Sequence, residues 1–380
     1  MHPSVETAAG EIVETELSPE SALDLKISCL ARGVRVLPSA KEHLSRGGRV
    51  PLSIHEYPTT GGVTFILRGD VFINAPFDEW FCESAEARLD WDKPTEQFVV
   101  RFRGEAFPVS LLPLPGYLGT QDDDGTLVSR IVMSHADRAR LSPLNHGCAF
   151  SCKFCDLAAK KYTKYTTDKV LRALSVAKSD NALPVRHVLV SGGTSNASDQ
   201  PYFDEIVRTV VHEAGCPVDV MMTPRREIGF VDEYAGWGLK GFSLNLEVFA
   251  PEVAKSVAPE KARLGLETWA RAIRRAVDLT GGHGRVRSLL VVGLEPLEST
   301  LAGVEFLARL GCDPVISPFR PAQGIQLSHI PPPSEEFLRT VFTRGSEIAH
   351  QYGVLLGPRC IPCQNNVLAV PIGQSGYYFS

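Results

Sequence analysis

Asn145-His146-Gly147-Cys148-Ala149-Phe150-Ser151-Cys152-Lys153-Phe154-Cys155-Asp156-Leu157 sets three cysteines in one short loop, with three residues and then two between them. Three thiolates from a single turn can grip three corners of a cubane iron–sulfur cluster and leave its fourth iron without a protein ligand. That open corner would bind a further molecule as well as pass electrons. Zinc is the other reading, because the three cysteines and His146 also make four ligands. Structural zinc sites, however, usually pair two-ligand clusters far apart in sequence, so the surrounding chain has to decide.

Outward from the loop, short β-branched apolar runs alternate with amphipathic stretches from about residue 137 onward. This alternation predicts parallel strands joined by helical crossovers. Strands are expected at 139–144, 187–191, 217–222, 241–246, 286–292 and 314–318, and helices near 167–179, 202–214, 228–237, 264–279, 300–310 and 335–352. Together they make an α/β fold, a partial (β/α)6 TIM-like barrel whose reactive groups belong at the C-terminal ends of the strands. The cysteine loop directly follows the first strand, at that rim. Residues 1–128 read differently, with strand-like runs at 63–68, 71–74 and 97–103 broken by Gly, Pro and Asp clusters, which predicts an N-terminal β-rich or α+β module. The turn-prone Gln121-Asp122-Asp123-Asp124-Gly125 marks the boundary, so the barrel is assigned to 129–330 and a C-terminal helix with its extension to 331–380.

A chain of 380 residues exceeds the usual single core. With a net charge of −5 and no long lysine or arginine run, a nucleic-acid partner is not expected. The acidic opening segment lacks the pattern of a secretory signal, and nowhere do eighteen apolar residues run together, so no membrane association and a cytoplasmic location are expected. Nine cysteines, odd in number and clustered, favour metal binding or catalysis over a disulfide framework.

The loop Cys148-Ala149-Phe150-Ser151-Cys152-Lys153-Phe154-Cys155 resembles the CxxxCxΦC signature of the radical S-adenosylmethionine superfamily, with Phe154 at the aromatic position. Ser191-Gly192-Gly193-Thr194 looks like the GGE element of that superfamily, whose backbone receives the methionine amino group, with Thr194 in place of the acid. Ser243-Leu244-Asn245-Leu246-Glu247 resembles the NLET/NLDT element of the biotin synthase and lipoyl synthase group, which implies contacts from Asn245 and Glu247 to the cofactor ribose or the substrate. Leu289-Leu290-Val291-Val292-Gly293-Leu294-Glu295 looks like the GLMVGLGE strand of that group. Gly293 would admit the adenine, and the acid is displaced by one position, with Glu298 available for its structural role. Pro318-Phe319-Arg320-Pro321-Ala322-Gln323-Gly324-Ile325-Gln326-Leu327 resembles the PxxGTPL loop and makes Arg320 a reader of a substrate carboxylate. Arg225 and Arg226 are further expectations for the methionine carboxylate. The resemblance covers about 138–327.

It implies a [4Fe-4S] cluster on Cys148, Cys152 and Cys155 with S-adenosylmethionine at the open iron. An electron donor such as flavodoxin or ferredoxin would drive cleavage to a 5′-deoxyadenosyl radical that takes hydrogen from a small-molecule or peptide substrate. Cys360-Ile361-Pro362-Cys363 is a second pair, open to three readings: an auxiliary iron–sulfur cluster, a structural or redox dithiol, or part of a zinc site, with Cys312 as a further ligand. An auxiliary cluster there would allow sulfur insertion. Only Cys29 and Cys82 lie in the N-terminal region, so the chain is not read as lipoyl synthase. The remaining alternative is a zinc-stabilised binding protein without radical chemistry.

Overall fold

In the computed structural model, residues 4–6, 12–14, 18–46, 61–68 and 70–371 are described. Most of the acidic opening segment and residues 372–380 of the expected C-terminal extension lie outside them.

The first part of the chain folds as a sheet with two helices. Its elements are β1 (Ser4–Glu6), β2 (Ile12–Glu14), α1 (Pro19–Arg32), β3 (Arg35–Val36), α2 (Pro38–Arg46), β4 (Val63–Leu67), β5 (Val71–Ala75), β6 (Arg88–Asp92), β7 (Gln97–Phe102) and β8 (Glu105–Leu111). The strands pair in the order β2-β1-β8-β7-β6-β3, with β4 on β8 and β5 on β4. Helix α1 was not expected from the sequence. It starts where the Ser18 hydroxyl accepts from Ser21 N–H and Pro19 fixes the first turn, and Gly33 ends it in a left-handed conformation. Ala22, Leu25 and Cys29 pack in the core of this sheet, whereas Ile27, Leu30 and Ala31 belong to the core of the second part. A helix buried on both sides shows no clean apolar stripe, which hid it in the sequence.

The second part is an open barrel. Its elements are β9 (Val132–His135), β10 (Arg138–Leu141), α3 (Thr167–Lys178), β11 (His187–Val190), α4 (Gln200–Glu213), β12 (Val218–Met222), α5 (Gly229–Gly236), β13 (Gly241–Leu244), α6 (Pro251–Val257), α7 (Pro259–Ala262), α8 (Leu266–Thr280), β14 (Val286–Val292), α9 (Leu297–Arg309), β15 (Asp313–Pro318) and α10 (Glu335–Gln351). Strands β10 to β15 pair in parallel, in sequence order. This is the expected partial (β/α)6 barrel, with β9 added antiparallel to β10 at one edge. Its strands bury apolar side chains on both faces, as covered parallel sheets do.

Strands β10 and β13 end two or more residues earlier than expected, and both endings build the site. Strand β10 stops at Leu141, after which the chain turns through Ser142 and Pro143 into the cysteine loop. Strand β13 stops at Leu244, because Glu247 adopts a left-handed φ of 68°. Glu247 still pairs with β14: its N–H donates to Leu289 O (2.7 Å) and its carbonyl accepts from Val291 N–H (2.8 Å).

Candidate functional site

Cys148, Cys152 and Cys155 line one cavity at the C-terminal rim of the barrel. Phe154, Gly192, Gly193, Thr194, Asn245 and Glu247 line it too, so the segments after β10, β11 and β13 meet there. The close approach depends on glycine. A methyl group on Gly193 would stand 2.0 Å from Gly147 O and 2.5 Å from Cys148 Cα, so only a bare backbone lets the cysteine loop lie against the β11 turn. Across that contact Thr194 N–H donates to Cys148 Sγ (3.2 Å), Phe150 N–H donates to the same sulfur (3.3 Å), and Ala149 N–H donates to Thr194 O (2.9 Å).

The far side of the loop rests on α6 and α7. Lys153 N–H donates to Val257 O (2.8 Å), and Ser151 bonds the Glu260 carboxylate through both its N–H (3.2 Å) and its hydroxyl (2.9 Å). Burial, and then the Glu247 carboxylate, push the Cys152 thiol well above the usual thiol range, and burial pushes Cys155 up to about 12. Without metal these thiols keep their protons, so a metal cation that binds them must release protons.

Lys261 is a site residue that the sequence reading missed. Buried on α7, it stands 2.7 Å from Glu247 Oε2 and donates to Asn245 O (3.0 Å). Burial opposes its charge, but Glu247 prevails and raises the Lys261 pKa above its ordinary value. Pro251 and Pro259 at the starts of α6 and α7 were the available signal, since proline favours a first helical turn. Asn245 Oδ1 accepts from Ser243 Oγ (2.9 Å) and Leu289 N–H (3.2 Å), which fixes the side chain and leaves Nδ2 without a partner among the described residues.

Other expected residues are placed elsewhere. Gly293 does not line this cavity; its backbone, at φ 102°, lies against the Pro333 ring. Arg320, expected at a substrate carboxylate, instead joins the barrel to the first sheet, donating to Asn74 Oδ1 (2.9 Å) and Asn74 O (2.8 Å). Burial lowers its pKa to about 10. Glu295 receives the Phe249 and Ala250 N–H groups, and Glu298 pairs with Arg344 on the surface. Arg225 is held by Asp204 and Tyr234, and Arg226 donates to Arg263 O (2.9 Å). Both arginines line a larger groove that shares Phe150, Gly193, Thr194, Met222 and Thr223 with the cysteine cavity.

Among the described residues, the single group of His, Cys, Asp and Glu side chains close enough to share one ion is Asp137, His187, Cys360 and Cys363. The three loop cysteines and His146 are not part of that group. Cys312, buried beside Asp313, also stands outside the group.

Residues 142–307 match the sequence profile of the Radical SAM superfamily. Over 217 residues the chain is 24% identical to the bacteriochlorophyllide c C-7(1)-hydroxylase of Chlorobaculum limnaeum, a match covering 51% of this chain and 54% of that protein. The chain thus spans about half the length of this curated relative. Among solved structures it is similar to a radical SAM methyltransferase from Sphaerobacter thermophilus, with a TM-score of 0.45 at 18% identity over 71% of this chain and 76% of that one. It is also similar to HydG, a maturase of the [FeFe]-hydrogenase, with a TM-score of 0.45 at 17% identity over 55% of this chain and 48% of that one. The similarity to the Radical SAM superfamily thus covers residues 142–307, a little under half of the chain.

Proposed function

We propose that Cys148, Cys152 and Cys155 hold a [4Fe-4S] cluster that binds S-adenosylmethionine, and that the reaction is hydrogen abstraction from a small-molecule or peptide substrate seated in the adjoining groove. The observation that carries this reading is the convergence of the three thiols, the Gly192-Gly193-Thr194 backbone and the Asn245/Glu247 pair on one cavity that opens into a larger one. When bound, the cluster and S-adenosylmethionine would supply one-electron reductive cleavage of the sulfonium to methionine and a radical able to take a hydrogen atom from a substrate C–H bond. The remaining work falls to this chain's own side chains. Gly192 and Gly193 leave backbone groups open to an amino acid head, and Asn245 with Glu247 suits a ribose diol. Lys261 pairs with the Glu247 carboxylate at 2.7 Å, and Phe150, Leu157 and Met222 exclude water from the reacting carbon. Exposed Ala149 and Ser151 give a flavodoxin- or ferredoxin-type donor an approach to the loop.

The relative's name describes a hydroxylase, whose reaction replaces a C–H bond, and this agrees with hydrogen abstraction. Sulfur insertion is disfavoured. A donor cluster would have to reach the same substrate carbon, and Cys360 and Cys363 lie beside Asp137 and His187, at the opposite ends of β10 and β11 from the cysteine loop. The test is mass spectrometry of anaerobic turnovers with S-adenosylmethionine, dithionite and deuterated compounds. Deuterium in the 5′-deoxyadenosine identifies a substrate and supports the reading; a sulfur-containing product would replace it.

A further inference from the structure

The geometry points to a second metal centre: a closed, four-ligand site for one zinc-class divalent cation, built from Asp137, His187, Cys360 and Cys363 on the barrel face opposite the cysteine loop. Asp137 immediately precedes β10 and His187 opens β11, so the parallel register sets them side by side at the N-terminal ends of neighbouring strands. The Asp137 carbonyl fixes the pair further by accepting from Arg186 N–H (2.8 Å). Cys360 and Cys363 arrive from the segment after α10, where Cys363 N–H donates to Cys360 O (3.1 Å) in a turn that brings both sulfurs to the same imidazole.

The distances select the kind of metal. Cys360 Sγ lies 3.8 Å from both Asp137 Oδ1 and His187 Nε2, while Cys363 Sγ lies 3.5 Å from His187 Nε2 and Asp137 Oδ1 3.5 Å from the same nitrogen. With zinc bonds of about 2.3 Å to sulfur and about 2.0–2.1 Å to nitrogen or oxygen, the edges of a regular tetrahedron run from roughly 3.3 to roughly 3.8 Å. These four separations fall in that range, and all four ligand atoms lie within 4.8 Å of one another, close enough to share one ion. A cubane would need its thiolates on separate irons, wider apart. The second carboxylate oxygen of Asp137 is buried with no hydrogen-bond partner among the described residues, a costly arrangement that a cation relieves. Ligation requires both cysteines as thiolates and His187 with Nε2 deprotonated, so the protons these groups carry pass to solvent.

All four ligands are buried, and together they close the tetrahedron, leaving no position for substrate, which marks a structural rather than a catalytic site. What the ion would hold is the junction of the whole chain. Immediately after Cys363, Gln364 O and Ala369 O accept from buried Lys26 on α1 (2.7 and 2.6 Å), Asn365 O accepts from Asn74 N–H on β5 (2.7 Å), and Leu368 N–H donates to Ile316 O on β15 (2.7 Å). The site pins the start of this segment to the barrel floor, and the segment in turn docks the N-terminal sheet.

Metal analysis of the full chain, purified anaerobically and reconstituted with iron and sulfide, tests the assignment. It should carry about one zinc beside about four irons. Cys363→Ser should lose the zinc and keep the iron. About eight irons, with half lost in Cys363→Ser, would overturn the proposal in favour of an auxiliary cluster. A Cys360–Cys363 disulfide with no zinc would overturn it in favour of a redox pair. If Cys363→Ser does not fold, the full-length Cys148→Ala/Cys152→Ala/Cys155→Ala chain exchanged into cobalt(II) gives the same answer. Thiolate-to-cobalt charge transfer with tetrahedral ligand-field bands is expected, and their absence would contradict the site.

Discussion

Lys261 Nζ stands 2.7 Å from Glu247 Oε2, an ion pair buried beneath the cysteine cavity. Removing the cation leaves a carboxylate with no partner at that depth, and breaking such a pair costs about 3 kcal/mol or more. Lys261→Met should therefore lower stability by roughly 3 kcal/mol in urea denaturation and reduce deoxyadenosine formation. Lys261→Met/Glu247→Gln should recover much of the stability without recovering activity. A double variant no more stable than the single one would remove the pair from the account.

Gly193→Ala should fail to hold a complete cluster, because the added methyl meets Gly147 O and the Cys148 backbone inside van der Waals contact. Iron and sulfide analysis after reconstitution should fall well below wild type. Gly236→Ala, at a helical glycine with open space around it, should leave the iron content unchanged.

Lys26 donates to Phe72 O, Gln364 O and Ala369 O from within α1. Lys26→Met keeps most of the volume but leaves three buried carbonyls without that donor, each worth about 1 kcal/mol or more. The expected loss is roughly 3 kcal/mol by chemical denaturation, with earlier proteolysis of the segment after Cys363. Unchanged protease resistance would show that this segment is docked by other contacts.

Glu295 has its pKa raised above the ordinary 4.5 by burial, against which the Phe249 and Ala250 N–H groups work. A raised carboxyl stabilises the fold fully below the unfolded pKa and loses that contribution as pH rises through the folded value. Glu295→Gln keeps an acceptor for one N–H and cannot ionise. The stability difference between variant and wild type should therefore shift in favour of the variant as pH rises from about 4 to 8. A pH-independent difference would show that Glu295 titrates normally.

The repeating part of this chain was legible because its signals are local. Strands such as His187–Val190 and Val286–Val292 are short apolar runs, and the three cysteines with Gly192-Gly193 mark the ends of two of them. What stayed hidden depends on contacts between distant segments. Helix α1 is buried on two sides and so lacks a one-faced pattern; Lys261 looks like any lysine until Glu247 turns left-handed beneath it. Arg320 read as a substrate contact because nothing nearby in sequence predicts Asn74 as its partner. Cys360-Ile361-Pro362-Cys363 carried half of a ligand set, and Asp137 and His187 complete it only because parallel pairing places two strand starts together.

The central claim is that the three-cysteine cavity performs reductive cleavage of S-adenosylmethionine. Its most direct test is 5′-deoxyadenosine formation by the anaerobically reconstituted full chain with S-adenosylmethionine and dithionite, beside Cys152→Ala. The account predicts deoxyadenosine from the wild type and none from the variant. Equal formation by both, or none from a wild type carrying its full complement of iron, would contradict it.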